Sequence, residues 1–375
     1  MKIRNQFLVA LLALTISSAC KKDDEEIIQA AQEEATVAPG IKMGNESPAI
    51  NGKVNEVTML KATNVVGNRI NQEWLVNTEV KSNTGVLEFT PSKSGVYNIS
   101  YKAANSAGTF KFDYVLTVAV PEVPTTSASN RFVTSFFEFA PAAGQFMNEA
   151  SWGNQESGKT IIGKQASPGV SLGAFGGYVV YGFDHTVMNQ PDKEDIIVYG
   201  NAFANFSEPG VVWVMQDENG NGKPDDIWYE LAGSETGKEG YVRDYSVTYT
   251  RPTPPILSVS WKDNKGNTGV VKQTFHKLNH YPLWITTDEF TRTGTLLPST
   301  GIKGSSSAAF AFGFADNVAG GDKVDIANAI DKDGKKVVLK GIDFIKVQTG
   351  IMADLTIFGE LSTEVTGIAD ISLIK

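Results

Sequence analysis

Along most of this chain the apolar residues recur at every second position and almost nowhere at helical spacing. A chain with that period presents alternate side chains to opposite faces, so it is committed to strands that bury one face. The pattern runs through "EWLVN", "GVLEFTP", "GVYNISYKAAN" and "FKFDYVLTVAV" in the first third. It returns in "GGYVVYGF", "DIIVYGNAF", "GVVWVMQD", "DDIWYELAG", "DYSVTYTR", "ILSVSWKD", "AFAFGF" and "GIDFIKVQTG". Glycine, serine and asparagine punctuate the joins, as turns require. "KVDIANAI" alone suggests one or two helical turns, and no fixed repeat length supports a propeller. The expected class is all-β.

Composition then divides the chain. Lys2 and Arg4, the apolar run "FLVALLAL" and "TISSAC" read as an export signal over residues 1–19, too short for a membrane span. Cys20 is the only cysteine and falls where a lipoprotein signal peptidase cuts, so it is read as the lipidated first residue. No disulfide can form in the remainder. Residues 20–40 read as anchor and flexible tether, and "PEVPTTSASN" at 121–130 as a linker. They bracket a first domain at 41–120 and a second at 131–375. In the first, Phe110, Phe112, Tyr114 and Leu116 share a face and Trp74 is the expected core residue. Its "SKSGVYNISYKAANSAG" resembles the closing strand-turn-strand of immunoglobulin-like or PKD modules. The second domain reads as a larger β-sandwich or jelly roll. A net charge of −9 without basic clusters argues against nucleic acid as a partner.

The densest chemistry lies in "DENGNGKPDD" at 217–226. Asp217, Asn219, Asn221, the carbonyl of Lys223 and Asp225 occupy relative positions 1, 3, 5, 7 and 9 of a calcium loop, with Gly222 at the sharp turn. Position 12 is Trp228 and the flanks are strands, so this is not an EF-hand; Asp226 or Glu230 is left to complete the ligand set. All the ligands are oxygens, which selects calcium. A polar hairpin turn is the competing reading of the same residues.

Other constellations are weaker. His276 and His280 in "HKLNH" lack the glutamate of a zinc peptidase, and His185 stands apart, so all three read as surface or packing residues. No Gly-x-Ser-x-Gly elbow occurs, and the carboxylates have no spacing that defines a glycosidase pair. The chain is therefore not read as an enzyme. Trp213 alternates with Val211 and Met215 and is expected in the core; Trp228 alternates with Asp226 and Glu230 and is expected on a polar face. Trp228 and Trp152 are the candidate stacking platforms, with Glu208 and Asn201 as polar partners.

"KKDDEE" after Cys20 resembles the surface-export signal of Bacteroidetes lipoproteins, and residues 169–235 with "GIDFIKVQTG" and "FGELSTEVTGI" resemble surface lipoproteins in which a PKD-like module precedes a large β-domain. That resemblance implies an outer-membrane lipoprotein held in lipid by Cys20 and exposed at the cell surface. It also implies a TonB-dependent transporter as partner and cobalamin uptake as one setting. Two functions follow: capture of a nutrient ligand, corrinoid or glycan, or an adhesive or structural module that binds protein or glycan.

Overall fold

The computed structural model describes residues 37–254 and 256–374. The signal segment, Cys20 and the tether up to residue 36 lie outside the described residues. Among the described residues, strands with four short 3-10 turns make up the regular structure, and the protein is all-β. Among the described residues no helix is long and apolar enough to cross a membrane.

The chain divides into two compact units. The first comprises residues 37–52, 56–91 and 96–118; the second comprises everything from Ala119 on, together with 53–55 and 92–95. In the first unit a three-stranded sheet contains Gly40–Met43, Thr58–Val66 and Val86–Phe89. A five-stranded sheet runs Ala49–Lys53, Gly108–Ala119, Gly95–Asn105, Asn71–Val76 and Glu79–Ser82. The alternation read from the sequence appears directly: Tyr114, Leu116 and Val118 are buried while the residues between them are exposed. Trp74 is fully buried, 4.7 Å from Tyr101 and stacked at 6.3 Å on Tyr114.

The second unit is built on one large antiparallel sheet. Its order is Ala329–Ile330, Tyr229–Leu231, Gly210–Met215, Gly341–Thr349, Tyr178–Met188 and Ser135–Ala140, with Phe314–Ala315 also paired to Gly210–Met215. One face, carrying Val179, Tyr181, Val212, Val214, Ile345 and Val347, packs on a smaller sheet of Asp322–Val324, Ile196–Tyr199 and Gly367–Asp370. The two layers enclose the main core, whose long strands are apolar on alternate residues for that reason. A four-stranded sheet of Thr268–Val271, Val259–Asp263, Val242–Thr250 and Glu289–Leu296 has its own core around Tyr245, Val247, Tyr249 and Tyr281.

Segment 121–130 is linker-like in composition, yet it is held by hydrogen bonds. Val123 N–H donates to Thr186 Oγ1 at 2.9 Å, Thr186 N–H returns a bond to the Val123 carbonyl, and Asn130 N–H donates to Asp184 Oδ2 at 3.0 Å. These bonds, one between backbones and two to side chains, tie the segment to the strand at 178–188, and it belongs to the second unit.

Candidate functional site

Loop 217–226 joins two neighbouring antiparallel strands, Gly210–Met215 and Tyr229–Leu231. Its two glycines supply the left-handed turns, Gly220 at φ 68° and Gly222 at φ 71°. Asp217 accepts the N–H groups of Asn221 at 3.1 Å and Gly222 at 2.7 Å. The amide nitrogens of Asn219 and Asn221 reach the Asp225 carboxylate at 2.9–3.1 Å. Four of the predicted ligand side chains thus face one space. The amide oxygens of Asn219 and Asn221 face the other way, accepting Asn221 N–H at 3.0 Å and Lys223 N–H at 2.7 Å, so the loop closes on its own hydrogen bonds as a polar turn does. The Lys223 carbonyl accepts Asp225 N–H at 2.9 Å.

Of the residues left to complete the ligand set, Glu230 is engaged elsewhere, while Asp226 accepts Asn219 N–H within the loop through Oδ2 at 3.3 Å and is also held from outside it. Asp226 Oδ1 takes a hydrogen bond from Lys93 Nζ at 2.9 Å. Glu230 is buried, and its two oxygens accept from the Tyr241 and Thr295 hydroxyls at 2.6 Å each. Asp343, unmarked in the sequence, anchors the loop instead: its Oδ2 accepts Asp217 N–H at 2.8 Å and its Oδ1 the Thr186 hydroxyl at 2.6 Å.

Trp228 is half-buried and not a bare platform. Lys346 Nζ lies over its ring at 5.0 Å and over Trp213 at 4.7 Å. Trp213 lies on the sheet face opposite the main core, where it packs half-buried with Val211 against a second apolar cluster that includes Leu297 and Phe314. Its strand neighbours Val212 and Val214 point into that core, and the period of two sends Trp213 the other way. Burial lowers the Lys346 ammonium to about 8, against the pull of Glu138 and Glu230. Trp152 is half-buried, 6.1 Å from Phe146.

Glu208 and Asn201 fall together on the segment that carries the chain from Ile196–Tyr199 in one layer to Gly210–Met215 in the other. There Glu208 meets two carboxylates far from it along the chain, Asp316 and Glu364. One oxygen from each lies within 4.8 Å of the others. Asp316 and Glu364 are fully buried, Glu208 is half-buried and Asn201 is exposed. Asp316, at φ 51°, is gripped by backbone: Oδ1 accepts the N–H groups of Asn201 and Ala202 and Oδ2 that of Glu364, all at 2.8 Å. Glycine is required at 200, because a Cβ there would lie 2.1 Å from Asp316 Oδ1. Burial raises the pKa of all three carboxyls; repulsion by Glu364 adds to it at Glu208 and Asp316, whereas hydrogen bonds, the first of them from Glu208, oppose it at Glu364. No local pattern could have announced this cluster, since Asp316 and Glu364 are 48 residues apart.

The same segment displays an aromatic row. Phe203 and Phe206 exchange both backbone hydrogen bonds across a tight turn in which Asn205 takes φ 63°. This stacks their rings at 4.9 Å and 8°. Phe206 meets Phe358 edge-on at 5.1 Å, and Phe275 lies 6.0 Å beyond Phe358. Phe203 and Phe275 keep 59% and 63% of their surface in solvent. Burial is the default for rings of this size, so a row of them exposed at its two ends is informative.

The histidines do not meet. His185 is buried between Asp184 and Asp370, with ring nitrogens 2.7 Å and 3.0 Å from their carboxylates. His276 pairs with Glu149, and His280 is buried with Nε2 at 3.3 Å from the His276 carbonyl. "HKLNH" is not helical.

No family model matches this chain, and no curated protein does. Solved structures align weakly. A quinonprotein alcohol dehydrogenase-like protein from Bacteroides thetaiotaomicron shares 12% identity over 63% of this chain and 50% of its own, at a TM-score of 0.22. The CBM51-2 and INT domains of Clostridium perfringens ZmpB, solved with GlcNAc, share 11% over 88% and 48%, at 0.15. A SusE-like protein shares 8% over 86% and 95%, at 0.17. The first two alignments cover about half of those chains. At such TM-scores no property passes from these proteins to this one.

Proposed function

We propose that this chain is a surface-exposed lipoprotein that captures a ring-bearing nutrient, a glycan or a corrinoid, beside an outer-membrane TonB-dependent transporter. The observation that carries the reading is the row Phe203, Phe206, Phe358 and Phe275, exposed at its two ends and half-buried between them, beside Asn201 and Glu208. Flat apolar faces of sugars and corrins pack on such rings, and adjacent polar groups fix their orientation. The row replaces Trp228 as the principal platform, because Lys346 lies over the Trp228 ring. Loop 217–226 takes a calcium ion that stiffens the sheet edge. Cys20 supplies the lipid anchor. The chain has no catalytic role in this reading.

The test is a titration of soluble residues 21–375 with cobalamin and with neutral oligosaccharides, with calcium and with chelator. Saturable binding of either ligand is expected, weakened about tenfold in Phe203→Ala if one stacked ring contributes ~0.5–1.5 kcal/mol. Binding undiminished in a Phe203→Ala, Phe206→Ala double variant would place the site elsewhere. No binding of either ligand would leave the adhesive role.

A further inference from the structure

We infer that the chain holds a second divalent cation, of calcium size, between the carboxylates of Glu208, Asp316 and Glu364. This inference is independent of the ligand reading and of loop 217–226. Three carboxylates with oxygens within 4.8 Å, two of them fully buried, must be neutralised, by protons or by a cation. What surrounds them shows where a cation belongs. Asp316 accepts three backbone N–H donors, two on Oδ1 and one on Oδ2, which fix its position and leave one acceptor site free on Oδ2. Glu364 Oε1 accepts the Ser362 hydroxyl at 2.7 Å, but its Oε2 is buried without a hydrogen-bond partner.

Ser171 supplies the second observation. It lies directly opposite Glu364 in the antiparallel pair Val170–Ser171 with Glu364–Val365. It is completely buried, and its hydroxyl faces the Glu364 carboxyl without meeting it, or any other group, at full hydrogen-bond geometry. Two orphaned buried oxygens on facing residues are rare in a folded protein. A cation between them satisfies both. The half-buried Glu208 and the exposed Asn201, whose side chain also acts on Glu364, give the ion an entrance from solvent.

The donors are all oxygen, with neither histidine nor cysteine in the group, which selects a hard ion over zinc or copper. Calcium binds its ligands at about 2.3–2.6 Å, so oxygens around it are up to about 5 Å apart; magnesium, at about 2.1 Å, requires a tighter set. Oxygens that all lie within 4.8 Å of one another fit inside a calcium shell.

The experiment is calcium stoichiometry on residues 21–375, by elemental analysis after dialysis against micromolar calcium, with melting temperature as a parallel readout. The loop's contribution is removed first, with the double variant Asp217→Ala, Asp225→Ala. We expect this variant to keep one calcium per chain and a calcium-dependent rise in melting temperature. Adding Glu364→Gln abolishes both. Glu208→Gln, at the half-buried mouth and so least demanding for folding, lowers calcium affinity at least tenfold. A loop variant that binds no calcium overturns the inference, as does a Glu208→Gln variant that binds it undiminished. Magnesium in place of calcium should give a smaller shift; an equal or larger one overturns the assignment of size.

Discussion

Glu360 shows how much a single buried carboxyl can report. It is 5% exposed; Oε1 accepts Gln145 N–H at 2.6 Å, and Oε2 has no partner. Burial raises its pKa to about 8 against the opposing pull of that hydrogen bond. The folded chain therefore retains a proton that the unfolded chain gives up near pH 4.3. Stability from this group is complete below about pH 4.3 and is lost as pH rises toward about 8. Glu360→Gln removes the titration and should raise the melting temperature at pH 8 relative to wild type while changing little at pH 4.5. An equal effect at both pH values would refute the assignment. Trp74 is the opposite kind of residue, legible from sequence because an alternating strand tells which face it occupies. Trp74→Ala should cost about 3–5 kcal/mol, read by denaturant unfolding of the first unit. Nothing in the sequence distinguishes Glu360 from other glutamates, because its character comes from neighbours brought by folding.

Elements divide along the same line. Period two in the sequence marks the long strands, Gly95–Asn105, Gly108–Ala119, Tyr178–Met188 and Gly341–Thr349, since each must sort its side chains between two faces. Loop 217–226 was equally visible, because its oxygens are consecutive in sequence and its glycines turn the chain locally. The segment at 200–209 was only half visible. Glu208 and Asn201 stood out as polar residues between strands, but Asp316, Glu364 and Ser171 reach them only through pairings between distant strands. The stacking of Phe203 on Phe206 follows from a turn whose αL residue, Asn205, is the sole local hint. Gly200 tests this segment as an element. A methyl group there must displace the Asp316 carboxylate, so Gly200→Ala should destabilise the second unit by about 1–3 kcal/mol, the usual cost of overpacking. It should also weaken calcium retention in the loop-deficient variant. Stability equal to wild type in denaturant would show that Asp316 is not held as described.

At the scale of the whole molecule, buried acids set the pH response of the second unit. Asp195 and Asp322 are raised to about 6 and Glu360 to about 8, each chiefly by burial. Glu208, Asp316, Glu364 and Asp343 are raised by burial as well, and His185 is raised by its hydrogen bond to Asp370. In every one of these cases the folded state holds the proton more tightly, so stability declines as pH rises above the unfolded value. His280, lowered by burial, works in the other direction near pH 6.5, as Lys346 does above about 8. Asp370 is lowered because the hydrogen bonds from His185 and Ser372 outweigh burial, so it loses its contribution only in acid. The balance between pH 5 and 8 lies with the acids. In chelator, the second unit should therefore melt at a lower temperature at pH 8 than at pH 5. Five of the six tryptophans lie in this unit, so their fluorescence follows the transition. Calcium competes with protons for the same carboxylates, binding best where they are ionised. It should raise the melting temperature more at pH 8 than at pH 5 and flatten the slope. In the Glu364→Gln variant that pH-dependent part of the calcium effect should shrink. A calcium shift of equal size at both pH values would mean that the ion does not sit among the buried acids.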